Sequence, residues 1–158
     1  QIEQGIEAKV PPELKKQYLS VVVAGMKVMF DAKTSRFIND RMKASDDIVA
    51  NVSAGIADLL MLLYNESKRS MSLPAAMLAA ITLMCQALDY AEKTMGTEIT
   101  PEIAAKCVQA TTTSCMEKFG ITQDKIDQAV AAGKQSQGAE QAPQADQGQP
   151  AQQPMMGA

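Results

Sequence analysis

Hydrophobic residues in the first third of the chain recur every three or four positions, which is the spacing of one face of an α-helix. They are Leu14, Tyr18, Val21, Gly25, Val28 and Ala32. Further apolar residues widen this face, so the helix is predicted to be buried between neighbours. The pattern predicts a first helix over residues 12–43, with a bend or a break at Thr34 and Ser35 as an open alternative.

The same periodicity continues in two further helices that have clear boundary residues. The second is predicted over residues 46–69, with Ser45 as its N-cap and with Lys68 and Arg69 in its last turn. The third is predicted over residues 74–95, because Pro74 suits a first turn and Gly96 suits the position after a helix end.

Two more helices complete the periodic part of the chain. The fourth is predicted to begin after the N-cap Thr100 and to close at Gly120. A short fifth is predicted over residues 122–133, where Ile121 and Ile126 have the spacing of a hydrophobic staple. Strand-like alternation of apolar and polar residues is not found, and the short connections favour antiparallel neighbours.

The last 25 residues, 134–158, have a different composition. They contain eight Gln, five Ala, three Pro and three Gly, and no Ile, Leu, Val or aromatic residue. Such a segment buries too little apolar surface to offset the entropy lost on ordering. The prediction is an all-α bundle of about four helices plus a short fifth. An N-terminal arm (1–11) precedes the bundle (12–133), and a disordered Gln/Pro/Ala-rich tail (134–158) follows it.

The composition limits the chemistry that this chain can perform. Histidine is absent, which removes the commonest acid/base at neutral pH and the commonest metal ligand. Cys85, Cys107 and Cys115 form no CxxC pair, and we expect three reduced, partly buried thiols rather than a nucleophile, which would lack an activating His. No phosphate-loop or calcium-loop spacing is present. We therefore expect no catalytic residue, cofactor, metal or small-molecule substrate.

Methionine is unusually frequent, with 11 residues in a chain that has no Trp. Flexible thioethers fill irregular cores, and they also form adaptable contact surfaces for self-assembly or for a partner. Both interpretations stay open. The interaction candidates are Met26, Met29, Met77 and Met84 in the helices and Met155 and Met156 in the tail.

Positive charge is concentrated near the start of the chain. Residues 1–45 carry eight Lys/Arg against five Asp/Glu, and the remaining residues carry seven against thirteen. A basic face is predicted at near-helical spacing, formed by Lys33, Arg36 and Lys43. It could bind the phosphates of a nucleic acid. Asp31 and Asp40 interrupt it and no exposed aromatic residue is evident for base stacking, so a solvated, salt-bridged helix face is the preferred interpretation.

Residues 70–88 carry no charge, and their length approaches that of a membrane span. The segment also contains Ser70, Ser72, Pro74, Thr82 and Gln86, and much of the remainder is Ala, which contributes little to membrane insertion. A buried bundle helix is therefore preferred, and a helix that meets a membrane after the bundle opens is the alternative.

The Met- and Ala-rich helical body, the low-complexity segment Gln141–Pro150 and the ending Pro154–Ala158 together resemble minor structural proteins of tailed bacteriophages. The style is similar to that of small internal-head or ejection proteins and of portal-proximal proteins. The resemblance implies a virion protein assembled in the bacterial cytoplasm, present in many copies and without catalysis. Its partners would be itself and other virion proteins, and on ejection it would meet a membrane.

Several functions therefore stay open. The first is a self-associating structural protein of a phage particle. The second is a helical adaptor or chaperone that presents a Met-lined groove to a partner helix. The third is a membrane-active ejection component that uses residues 70–88. Nucleic-acid binding is the weakest of the four.

Overall fold

Six α-helices and no strand occur in the part of the chain that the computed structural model describes, residues 2–122 and 124–125. The helices are α1 (Ile2–Glu7), α2 (Pro12–Phe30), α3 (Arg36–Met42), α4 (Ile48–Glu66), α5 (Leu73–Met95) and α6 (Pro101–Lys118). The prediction of an all-α bundle is confirmed. Most of the predicted fifth helix (122–133) and the whole predicted tail (134–158) lie outside the described residues.

Two central helices organise the bundle. Helix α4 packs against α2, α3, α5 and α6, and α5 packs against α1, α2, α4 and α6. The two helices contribute different side chains to the shared core. Helix α4 buries branched residues such as Val52, Ile56 and Leu59, whereas α5 buries six alanines together with Leu83, Met84 and Leu88. Small alanines let neighbouring backbones approach, and the larger side chains fill the space between them.

The predicted N-terminal arm, residues 1–11, takes part in this packing. Helix α1 contacts α5, and Ile6 lies against the core. Val10, just before the two prolines, is buried. Residues Gln1–Thr122 accordingly form one compact unit.

The first predicted helix, residues 12–43, is interrupted, so a continuous helix over this range is wrong. Helix α2 ends at Phe30, and Asp31 adopts an extended conformation (φ −68°, ψ 135°). The Asp31 carboxylate accepts a hydrogen bond from the Lys33 amide at 2.8 Å, and the Asp31 carbonyl accepts from the Thr34 and Ser35 amides. Local hydrogen bonds of an Asp thus replace those of the helix. The break begins three residues earlier than predicted.

The start of α4 also differs from the prediction. Its N-cap is Asp47 and not Ser45, and the Asp47 carboxylate accepts from the amides of Val49 and Ala50 at 3.0 and 3.1 Å. Ser45 instead donates its hydroxyl to the buried Asn51 side chain. The Asn51 amide group donates to the carbonyls of Met42 and Ser45. These hydrogen bonds hold the connection between α3 and α4 against the first turns of α4.

The end of α4 is a second correction. The helix ends at Glu66, so Lys68 and Arg69 lie beyond its last turn. Both residues have left-handed backbone angles, with φ of 53° and 61°. The Arg69 amide donates to the Tyr64 carbonyl at 2.9 Å, which closes the helix end. Glycine usually occupies such positions, and its absence explains why the sequence did not indicate this turn.

The predicted boundaries of the later helices are close to those observed. Gly96 has φ of 67° and ends α5, and the Thr100 hydroxyl accepts from the Ile103 amide at the start of α6. Gly120 also has positive φ, at 66°, just after α6. Thr100 bonds to a backbone amide of its own helix, and the two glycines adopt the left-handed conformation that ends a helix. These are local effects, which is why the boundaries could be identified without tertiary contacts.

Helices α2 and α5 are in tight contact at Gly25. A methyl group at Gly25 would lie 2.5 Å from Cδ1 of Leu83, a side chain with no exposed surface. Two turns of α2 away, the Tyr18 and Thr82 hydroxyls share a buried hydrogen bond of 3.0 Å. The packing of α2 against α5 therefore depends on the absence of a side chain at Gly25 and on the hydrogen bond between Tyr18 and Thr82.

We expect Gly25→Ala to lower the free energy of unfolding by roughly 1–3 kcal/mol, because the buried Leu83 has to move. Gly55→Ala is the matched control. A methyl there would meet Arg41 Cβ at 3.5 Å and Ile38 Cδ1 at 3.7 Å, which are ordinary contacts. It should leave stability unchanged or raise it by up to about 1 kcal/mol through helix propensity. Urea denaturation measures both. Equal stability of the two variants would contradict the close α2–α5 approach.

Asp58 joins three helices through its carboxylate. Arg41 of α3 pairs with one carboxylate oxygen, and Lys118 of α6 donates to the other at 2.5 Å. The Asp58 side chain is 17% exposed, whereas Asp89, which pairs with Lys93 one turn away, is 48% exposed. Reduced exposure and two cations make the Asp58 interaction the stronger of the two.

Asp58→Asn should lower the free energy of unfolding by about 1 kcal/mol, since both cations stay partly solvated. Asp89→Asn, which removes an isolated pair within one helix, should change it by less than about 0.5 kcal/mol. Thermal melts at low and high salt separate the two cases. If Asp89→Asn were at least as destabilising as Asp58→Asn, the role of Asp58 as a link between helices would be refuted.

Candidate interaction surfaces

The methionines singled out from the sequence fall into three groups. Met29 and Met84 have no exposed surface and belong to the core. Met26 and Met77 are partly buried and pack against that core. Met155 and Met156 lie outside the described residues. Among these candidates, only Met26 and Met77 therefore have described side chains that are both partly accessible and supported by the bundle.

An exposed apolar stripe runs along α2 and was not anticipated as a surface. Leu19 is 41% exposed, Val23 67% and Phe30 39%, and the partly buried Met26 lies between them. The intervals of four, three and four residues place all four within a sector of about 60° on an ideal helix. We call these four residues the outer α2 stripe. The sequence predicted a helix buried on most sides, whereas only the side that carries Tyr18, Val21, Gly25 and Met29 is buried.

Lysines border the outer α2 stripe. Lys15, Lys16 and Lys27 are exposed, and no ion pair observed within residues 2–122 involves them. The one carboxylate of α2 is Glu13, in the first turn of the helix. The stripe therefore combines unpartnered apolar side chains with unneutralised positive charge.

The predicted basic face is divided between different elements. Lys33 lies in the turn after α2, Arg36 is the first residue of α3, and Lys43 follows its last residue. All three are exposed. The continuous helix that would have given these residues a common face is interrupted over residues 31–35. The structure therefore gives no helical reason for them to act together.

An open groove of about 510 Å³ separates α2 from the end of α4. It is lined by Lys16, Gln17, Ser20, Val21, Ala24, Leu63, Glu66, Ser67, Ser70 and Met71. The hydroxyls of Ser20, Ser67 and Ser70 all donate to carbonyls three or four residues earlier. The three serine hydroxyls are thus already engaged as donors, and Lys16 and Gln17 supply the remaining side-chain donors of the groove. Its single methionine also differs from the Met-lined groove expected of an adaptor.

The two fully buried thiols are not suited to nucleophilic chemistry at neutral pH. Burial raises the pKa of Cys107 to about 11, and electrostatic interactions with Asp47 and Cys85 add to this shift. Burial alone raises the pKa of Cys115 to about 11. A thiolate is the reactive form of cysteine, and a raised pKa makes it scarce. In the described part of the chain, no group of three or more His, Cys, Asp or Glu side chains could hold a metal ion.

Two helices have the length and hydropathy of a membrane span. They are α4, with a mean hydropathy of 1.5 over its most apolar window, and α5, with 1.4. Half of each window is buried inside the bundle, and the core helices of soluble proteins meet the same criteria. The charge-free segment 70–88 corresponds to the turn before α5 and most of α5. Its exposure to a membrane would require the core to open.

Comparison with known proteins identifies no relative of this chain. No family model, no curated protein and no solved structure matches this chain.

We expect Cys107 and Cys115 to resist alkylation in the native protein at pH 8, because burial keeps them protonated and inaccessible. The partly exposed Cys85 should be modified first. Mass spectrometry after iodoacetamide treatment, with and without urea, identifies the modified residues. Equal rates for Cys107 in the native and unfolded chain would contradict its burial.

The free energy of unfolding should fall as the pH rises from about 9 to about 11, since the thiols of Cys107 and Cys115 hold their protons more tightly in the folded protein.

Proposed function

We propose that this protein is a non-enzymatic structural or assembly protein of a tailed bacteriophage particle. It docks on itself or on portal, capsid or ejection partners, and it is assembled with them in the bacterial cytoplasm. The proposal combines the resemblance in sequence style with a surface that suits protein contact.

The outer α2 stripe is the observation that carries this proposal. Isolated apolar residues on a protein surface are normal, but a row of four on one helix side is an extended contact surface. The stripe lies on a helix that is anchored by buried residues on another side, so it is held rigid before a partner arrives. Preorganisation of this kind reduces the entropy lost on binding.

The absence of histidine and the raised pKa of two thiols support a non-catalytic role. In the groove between α2 and α4, the hydroxyls of the three serines are already bonded to backbone carbonyls. Docking uses burial of apolar surface and needs none of these groups.

A helical adaptor is the second candidate, and the groove between α2 and α4 favours it. Val21, Ala24, Leu63 and Met71 supply apolar contacts there, and Lys16 and Glu66 supply opposite charges. A partner helix laid in this groove would use its own apolar face. The outer α2 stripe and the groove lie on adjacent sides of α2 with Lys16 at their border, so substitutions at Val23 and at Ala24 distinguish the two candidates.

If the proposal is correct, quantitative mass spectrometry of particles purified from the native source will find this chain in many copies per particle. Val23→Glu should reduce its incorporation at least about tenfold, because it places a charge at the most exposed position of the stripe. Its melting transition should be retained, since Val23 contributes little to the core.

Leu62→Glu is the matched control, as Leu62 is 40% exposed on α4 and lies outside the stripe. It should leave incorporation unchanged. Absence of the chain from particles would refute the phage role. Loss of partner binding after Ala24→Glu in the groove, with full binding by Val23→Glu, would favour the adaptor.

A further inference from the structure

We infer that the outer α2 stripe receives an amphipathic helix of a partner protein whose apolar seam is flanked by acidic residues. This inference rests on the proposed function and names the chemistry of the partner. It follows from the juxtaposition of Leu19, Val23, Met26 and Phe30 with the three exposed lysines of α2.

The dimensions of the stripe fit a helix. From Leu19 to Phe30 it covers twelve residues, and the eleven steps between them amount to about 16 Å along the axis. A narrow row at intervals of three and four residues matches the seam that one helix presents to another. Phe30 is fixed at one end by the Tyr90 ring, with centroids 5.7 Å apart. The row is therefore part of the rigid bundle.

The charges along the stripe select an acidic partner. Lys16 and Lys27, eleven residues apart, lie along one edge, and Lys15 lies just beyond the other edge. A partner helix lying on the stripe would bring its flanking side chains within reach of these ammonium groups. Carboxylates there would form new ion pairs, whereas basic flanks would be repelled. Complementary charge of this kind determines partner choice more than it adds affinity.

A second copy of this chain fits less well. Two copies of α2 would juxtapose surfaces that each carry three lysines and one carboxylate. Outside α2, the exposed large hydrophobic residues in the described chain are Leu62 and Met95, on different helices. The described surface thus offers no second apolar row with acidic flanks that another copy could dock into the stripe.

A membrane surface also fits less well. A helix that lies in a lipid interface buries its apolar face about 5–10 Å deep. Leu19 and Phe30 are only about 40% exposed, and the side of α2 that carries Tyr18 and Met29 is packed in the bundle. The stripe therefore has room for the seam of one helix and lacks the broad, free apolar face that insertion requires.

The test uses the full chain and two labelled 18-residue model helices. Both peptides carry Leu at intervals of four, three and four residues, one with Glu and the other with Lys at the flanking positions. We expect fluorescence anisotropy to show at least about tenfold tighter binding of the Glu-flanked peptide, with a preference that shrinks as salt rises. Val23→Glu should abolish binding.

Reversal of the two edge charges, Lys16→Glu with Lys27→Glu, should invert the preference. Lys43→Glu with Lys106→Glu makes the same change in net charge away from the stripe and should leave the preference intact. Equal affinities for the two peptides, or no binding, would overturn the inference. Two further outcomes would overturn it if neither peptide binds. One is self-association that Val23→Glu abolishes, and the other is binding to phosphatidylserine vesicles that Val23→Glu abolishes. These results concern the partner's chemistry only, since the copy number in particles tests the phage role separately.

Discussion

The packing of α4 against α5 is the interaction on which the rest of the bundle depends. These two helices contact all the other helices between them, and their buried residues form most of the core. The alanines of α5 allow a close approach that larger residues would prevent, and the branched residues of α4 fill the remaining volume. A core with few aromatic residues thus reaches full burial through small and flexible side chains. This packing also accounts for the membrane-like hydropathy of both helices, because half of each apolar window is buried in the core, where charged residues are disfavoured.

The peripheral helices are placed by specific polar contacts in addition to apolar burial. Asp58 links α4 to α3 and α6, the Tyr18–Thr82 bond links α2 to α5, and Asn51 holds the connection between α3 and α4. Each contact satisfies a group that would otherwise be costly to bury, and each requires one particular register between two elements. Such contacts add modest stability and considerable specificity. They explain how a loosely shaped Met- and Ala-rich core is compatible with one defined arrangement.

The functional interpretation follows from the two sides of α2. One side carries Tyr18, Val21, Gly25 and Met29 and is buried, while the outer α2 stripe is left without a partner in the described structure. The same helix is therefore both a core element and a rigid platform. The exposed lysines of α2 make this platform positively charged. In our proposal, the bundle supplies stability and α2 supplies the contact with other components of a particle.

Local chemistry was predictable from the sequence where it is decided within a few residues. The helical class, the ends of α5 and α6, and the caps at Thr100 and Gly96 all follow from periodicity and from residues that satisfy nearby backbone groups. The prediction was less accurate at Asp31, Ser45 and Lys68, where several local hydrogen-bonding arrangements compete and the neighbouring elements select one. No periodic pattern distinguishes an apolar residue that meets a neighbour from one that meets solvent. The burial of Met29 and the exposure of Val23 were therefore decided by the tertiary structure alone, because the helices that pack against α2 cover only one side of it.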